Sequence, residues 1–139
     1  MKKNITSLLL CLLFLITCNV YAAPEQRWSP VVSVTPSMEI FIDTHSLVFE
    51  ADGENKFVTA WVAYDDYQKG VTLQTYAKYN LTQKSYKFFA VYVYSLDGEM
   101  LNYESTKTSN YTFIPPNSNG ENVLNALWVY WYMHRDGLI

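Results

Sequence analysis

The chain has 139 residues, half of them hydrophobic, with 12 Tyr, 7 Phe, 4 Trp and a formal net charge of −3. That length suits one domain and argues against two; the acidic balance argues against nucleic acid, whose phosphates are bound through clustered cations. Both cysteines, Cys11 and Cys18, lie near the N-terminus, so the rest of the chain must be held by packing rather than by a disulfide.

The first element is a targeting segment. Met1, Lys2 and Lys3 lead into the apolar run Ile5, Leu8 to Leu10 and Leu12 to Ile16, the order of a charged n-region and an apolar h-region. The run is too short for a bilayer span, which needs about 20 apolar residues. Val20-Tyr21-Ala22 predicts cleavage after Ala22, making residues 1–22 a signal peptide. The competing reading makes Cys18 a lipidation site, because Leu15, Ile16 and Thr17 precede it; a membrane enters only then. Both readings export the chain, to the periplasm, the outer-membrane surface or the medium. Loss of residues 1–22 removes two lysines and no acid, leaving 117 residues with a formal charge of −5.

Residues 23–37 carry Pro24, Pro30 and Pro36 and read as an extended proline-containing arm anchored by Trp28. A single domain is expected over 38–139. Met38, Ile40 and Ile42 alternate with Glu39, Phe41 and Asp43 as in a strand, and Leu47, Phe49 and Ala51 continue the pattern. Asp52-Gly53 favours a hairpin turn. Phe57 to Tyr64 places Val58, Ala60 and Val62 on one face and Phe57, Thr59, Trp61 and Ala63 on the other, the pattern of a central strand covered on both sides. After Asp65 to Gly70, alternation resumes from Val71 to Tyr79, and Ser85 to Tyr94 is a strand dense in aromatic and β-branched residues. Asp97-Gly98 is a second hairpin turn before Met100 to Glu104, and residues 105–110 read as a solvated loop.

Pro115 and Pro116 end the sheet, and Ser118 with Glu121 has capping-box spacing, so a helix is expected from about Asn119. Val123, Leu124, Leu127, Trp128 and Trp131 recur at helical spacing. The fold class is therefore α+β: an antiparallel sheet of about five to six strands with one C-terminal helix packed on one face.

No catalytic residue, cofactor site or metal site emerges. Asp65 and Asp66 are adjacent, so on a strand their carboxylates diverge and do not converge on one substrate atom. His45 and His134 stand alone, without the further ligands zinc requires. Ser46, Ser85 and Ser95 lack a nucleophile elbow. The tyrosines suggest a binding surface instead: Tyr64, Asp65, Asp66 and Tyr67 at one turn, with Tyr76, Tyr79, Tyr86, Tyr92, Tyr94 and Tyr103 on neighbouring strands. The apolar stretch Ala126 to Met133, with Trp128 and Trp131, suggests self-association as a homodimer.

The order of elements resembles the bacterial surface-adhesin protein E family. The resemblance rests on Ile42-Asp43 followed by His45, Ser46 and Leu47, on Trp61-Val62, on Tyr94 with Asp97-Gly98, and on Ile114-Pro115-Pro116 with Ser118, Gly120 and Glu121; it covers about residues 28 to 128. The family commonly carries a cysteine near the position of Asn80 and another near Trp128, and this chain has neither. The resemblance implies an envelope-associated α+β domain, sometimes dimeric, whose members bind host matrix proteins such as vitronectin and laminin. Those contacts lie in basic segments with no counterpart in this acidic chain, so no binding residue is carried over. The expected partner is a protein or glycoprotein, with host matrix the most specific form. The alternative is a periplasmic inhibitor or assembly factor that presents Asp65, Asp66 and Tyr67 to a basic enzyme such as lysozyme.

Overall fold

The computed structural model describes residues 27–105 and 110–139. The expected signal peptide and Cys18 lie outside the described residues, as does most of the expected 105–110 loop. The described residues form β1 (Trp28–Thr35), β2 (Met38–Asp43), β3 (Val48–Asp52), β4 (Asn55–Asp66), β5 (Val71–Asn80), β6 (Ser85–Ser95), β7 (Met100–Ser105), β8 (Thr112–Phe113) and one helix, α1 (Asn119–Arg135). All pairings are antiparallel, in the order β1-β2-β4-β5-β6-β7, with β3 added to β4 and β8 to β6.

The sheet is open and has eight strands, more than the five to six expected. One of the extra strands is β8, a two-residue pairing. The other is β1, which the sequence suggested as an extended arm anchored by Trp28. Residues 28–35 are extended, and they pair with β2 through Trp28↔Asp43 and Val31↔Ile40. Pro30 is accommodated because β1 is an edge strand, where a missing ladder donor is tolerated.

The twelve-residue β4 organises one half of the sheet. On one side it pairs with β5 along nearly its whole length; on the other it carries β2 against Val62–Asp66 and β3 against Asn55–Thr59. Ala60 and Trp61 fall between these two partners, where the short 3-10 turn Thr44–Ser46 crosses. There the Ser46 hydroxyl takes the place of a strand, accepting from the Trp61 N–H at 2.9 Å and donating to the Asp43 carbonyl at 2.8 Å. Ser46→Ala leaves a half-buried N–H unpaired and should lower stability by about 1–2 kcal/mol. Urea unfolding checks the loss, and faster amide exchange at Trp61 locates it.

Strand parity sorts the side chains. Ile40 and Ile42 of β2, Val58, Ala60 and Val62 of β4, and Ala77 and Tyr79 of β5 are buried on one face, under Val123, Leu124 and Leu127 of α1. The helix starts where expected: Ser118 caps it by accepting from Glu121 N–H at 3.2 Å. Glu121 reaches back to the N–H of Asn117 at 2.6 Å, one residue before the cap. Its C-terminal half is less uniform than its composition suggested. Leu127 is buried, Trp128, Tyr130 and Trp131 are half-buried against the core, and Val129 and Tyr132 are exposed.

Candidate functional site

The helix lies on one face of the sheet. The other face carries no helix among the described residues; only the Tyr111 ring, 6.3 Å from Phe57, lies over one end of it. Thr59 and Ala63 on that open face are nevertheless buried, at 7% and 6% exposure, because tall neighbouring rings stand around them.

Those rings form a continuous belt. Cross-strand register places Trp61 of β4 opposite Tyr76 of β5, and Gln74 of β5 opposite Tyr92 of β6, which faces Tyr103 of β7. Trp61 stacks on Tyr76 with ring centroids 5.0 Å apart and approaches Tyr92 at 5.6 Å. Tyr92 packs on Tyr103 at 4.5 Å and on Tyr94 at 6.2 Å. Phe89 closes the belt on Tyr76 at 5.6 Å. Such ring pairs are offset rather than sandwiched and hold one another in place. Mutual shielding from water, together with the neighbouring Tyr103 and Tyr94 hydroxyls, raises the pKa of Tyr92 above its ordinary value.

A β-bulge decides which rings belong to the belt. Tyr76 pairs with Ala90 but Ala77 pairs with Phe88, so Phe89 is an extra residue in β6. The bulge resets the parity of β6: Tyr86 and Phe88 pack beneath the helix with the core, while Phe89, Tyr92 and Tyr94 stay on the open side.

Of the residues singled out from sequence, Tyr76, Tyr92, Tyr94 and Tyr103 are brought together here. Tyr64, Tyr79 and Tyr86 are not, because strand parity puts them on the helix side with the core; Tyr64 is bonded to Tyr79, and burial pushes the Tyr64 hydroxyl up to about 12. Tyr64 alternates with Ala63 and Asp65, so it cannot share their face.

The Asp65 to Gly70 turn is engaged internally. Asp65 Oδ1 accepts from the Thr72 hydroxyl at 2.6 Å. Asp66 Oδ1 accepts from the N–H groups of Gln68 and Lys69, both at 3.1 Å, and these bonds with the Lys69 ammonium hold its carboxyl below the usual range. The Tyr67 hydroxyl donates to Glu39 at 2.7 Å. The two aspartates diverge, as adjacency on a strand requires.

Trp128 and Trp131 are half-buried against the core. Trp131 packs edge-on against Phe49 at 6.0 Å with the Lys56 ammonium 5.9 Å from its ring, and Trp128 stacks on Tyr132 at 5.5 Å. Their size and helical spacing come from docking α1 onto the sheet.

Sequence reasoning left Trp61 and Phe89 out of the site. It also missed a shallow depression of about 260 Å³ beside the belt, lined by Trp28, Phe41, Ala63, Asp65, Thr72 and Gln74. The parity of β4 already set Trp61 and Ala63 opposite the core; the pairing partners on β1, β2 and β5 complete the ring of residues. Among the described residues no group of three or more His, Cys, Asp or Glu is placed to hold a metal ion, and no helix is long and apolar enough to cross a membrane.

No family model, curated protein or solved structure matches this chain.

Proposed function

We propose that the chain is an exported, non-enzymatic binding module of the bacterial cell envelope, engaging a host matrix protein or glycoprotein through the open face of its sheet. The observation that carries this reading is the belt of Trp61, Tyr76, Phe89, Tyr92, Tyr94 and Tyr103, six contiguous rings on the face opposite the helix. Rings of this kind supply large contact area at low entropic cost and are enriched where proteins meet partners. The leader-like first 22 residues and the resemblance to adhesin E point to the same compartment and role. The rest of the acidic turn is a weaker contact site, because Asp66 is already bonded to Gln68 and Lys69 and Tyr67 to Glu39.

The test is binding of the chain lacking residues 1–22 to immobilised laminin and vitronectin. Saturable binding is expected, and Tyr92→Ala should weaken it at least ~10-fold, the effect of losing a central aromatic anchor. Tyr132→Ala, an exposed ring on the helix side, should leave it unchanged. No saturable binding to either protein, or equal losses from both variants, would remove the support for this face.

A further inference from the structure

Resting on that reading, we infer that the open face recognises a neutral glycan, with the depression beside the aromatic belt as its principal sugar subsite. The depression exists because Ala63 puts a methyl group where its neighbours carry large side chains. Phe41 of β2 and Gln74 of β5 flank it across the sheet, and Trp28 lines the same hollow from β1. At about 260 Å³, it falls below the roughly 300–1,000 Å³ of pockets that enclose a drug-sized ligand. It suits one ring-sized unit lying against the sheet.

Its lining combines two chemistries that a sugar needs together. Trp28 and Phe41 offer apolar rings to the C–H face of a pyranose. Asp65, Thr72 and Gln74 offer hydrogen-bonding groups to the hydroxyls around its rim. The Thr72 hydroxyl occupies Asp65 Oδ1, so Oδ2 remains to accept from a sugar hydroxyl, and the Gln74 amide both donates and accepts. A flat apolar protein surface would leave Asp65 Oδ2 without a partner, which is costly on desolvation; a sugar hydroxyl satisfies it.

The charge at this end selects neutral sugars. Glu39 lies directly across from Asp65, so sulfated or carboxylated units meet repulsion. The depression also continues into the belt. Phe41, Ala63, Gln74, Tyr92 and Tyr103 lie in one cross-strand row from β2 to β7, which at about 4.8 Å per strand spans roughly 19 Å. Successive sugar units can run along this row, from the depression onto Tyr92 and Tyr103.

Tryptophan fluorescence reads the site directly, because Trp28 lines the depression and Trp61 belongs to the adjoining belt. The probes are tetraoses of the cello, malto, xylo and chito series and the neutral N-glycans released from laminin, each titrated to millimolar concentration. At least one should give a saturable change, weakened at least ~10-fold by Asp65→Asn and by Gln74→Ala, with melting temperatures within two degrees of wild type. Laminin stripped of its N-glycans should lose binding in proportion. A response to none of the probes, or wild-type affinity in Asp65→Asn, overturns the inference. If free glycans fail while stripped laminin binds as well as intact laminin, the glycan inference falls and the protein-binding reading stands.

Discussion

Leu127→Ala is expected to lower the unfolding free energy by about 3 kcal/mol, within the 2–5 kcal/mol typical of emptying a buried leucine site. Leu127 is 0% exposed and sits at the centre of the apolar cluster that joins α1 to β2, β4 and β5. The site has little freedom to collapse, because the backbone beneath it is a hydrogen-bonded sheet and Val123 and Leu124 fix the preceding turn. Urea unfolding should show the midpoint falling with an unchanged slope, since neither the native contacts elsewhere nor the exposed surface of the unfolded chain changes much. Val129→Ala, two residues on and 58% exposed, is the control and should shift stability by no more than about 0.5 kcal/mol. A loss under 1 kcal/mol for Leu127→Ala would mean that α1 is not firmly docked on the sheet.

Much of this arrangement follows from local signals. The alternation in Met38 to Asp43 and Phe57 to Tyr64, the Asp-Gly pairs at residues 52–53 and 97–98, and the Ser118 cap each act within a few residues, so strand and helix positions were readable directly. Gly53 and Gly98 occupy the turns at φ +57° and +90°, conformations that disfavour a side chain. What was hidden depends on pairing across long sequence separations. The Trp28 stretch has the composition of an arm, and its conversion to a strand depends on the free edge that β2 presents.

The candidate site was legible in kind but not in membership. Tyrosine density indicated a binding surface, yet Tyr64 and Tyr94 have similar local sequence, each closing a run rich in β-branched and aromatic residues. Their opposite placement comes from strand register and from the Phe89 bulge. No local pattern marks that bulge, because its cause is the pairing of β6 with β5. The depression combines residues from four strands, with Trp28 and Gln74 far apart in sequence, so it appears only once the sheet is assembled.

Asp43→Ala is expected to cost about 2–3 kcal/mol and to loosen one wall of that depression. Asp43 is fully buried at the end of β2, and its carboxylate accepts from Arg27 Nε at 3.0 Å, from Arg27 Nη2 at 2.7 Å and from the His45 N–H at 3.1 Å. The Arg27 carbonyl answers by accepting from Thr44 N–H at 2.8 Å and from the Thr44 hydroxyl at 2.9 Å. Four of these five bonds fasten Arg27, just ahead of β1, to the end of β2, and the fifth caps the 3-10 turn. Alanine removes three of them: the cap of the 3-10 turn, worth about 1 kcal/mol alone, and two charge-assisted bonds to Arg27, which solvent weakens because that side chain is 60% exposed. Asp43→Asn keeps the size and one acceptor oxygen, so it should lose less. The loss should be local as well as global: amide exchange along β1 should accelerate more than along β5. Trp28 follows Arg27 directly and lines the depression, so its fluorescence, isolated by comparison with Trp28→Phe, should shift toward that of a solvated indole. Unchanged exchange along β1 in a destabilised Asp43→Ala would show that the carboxylate supports the 3-10 turn alone, and that Trp28 is held by its pairing with β2.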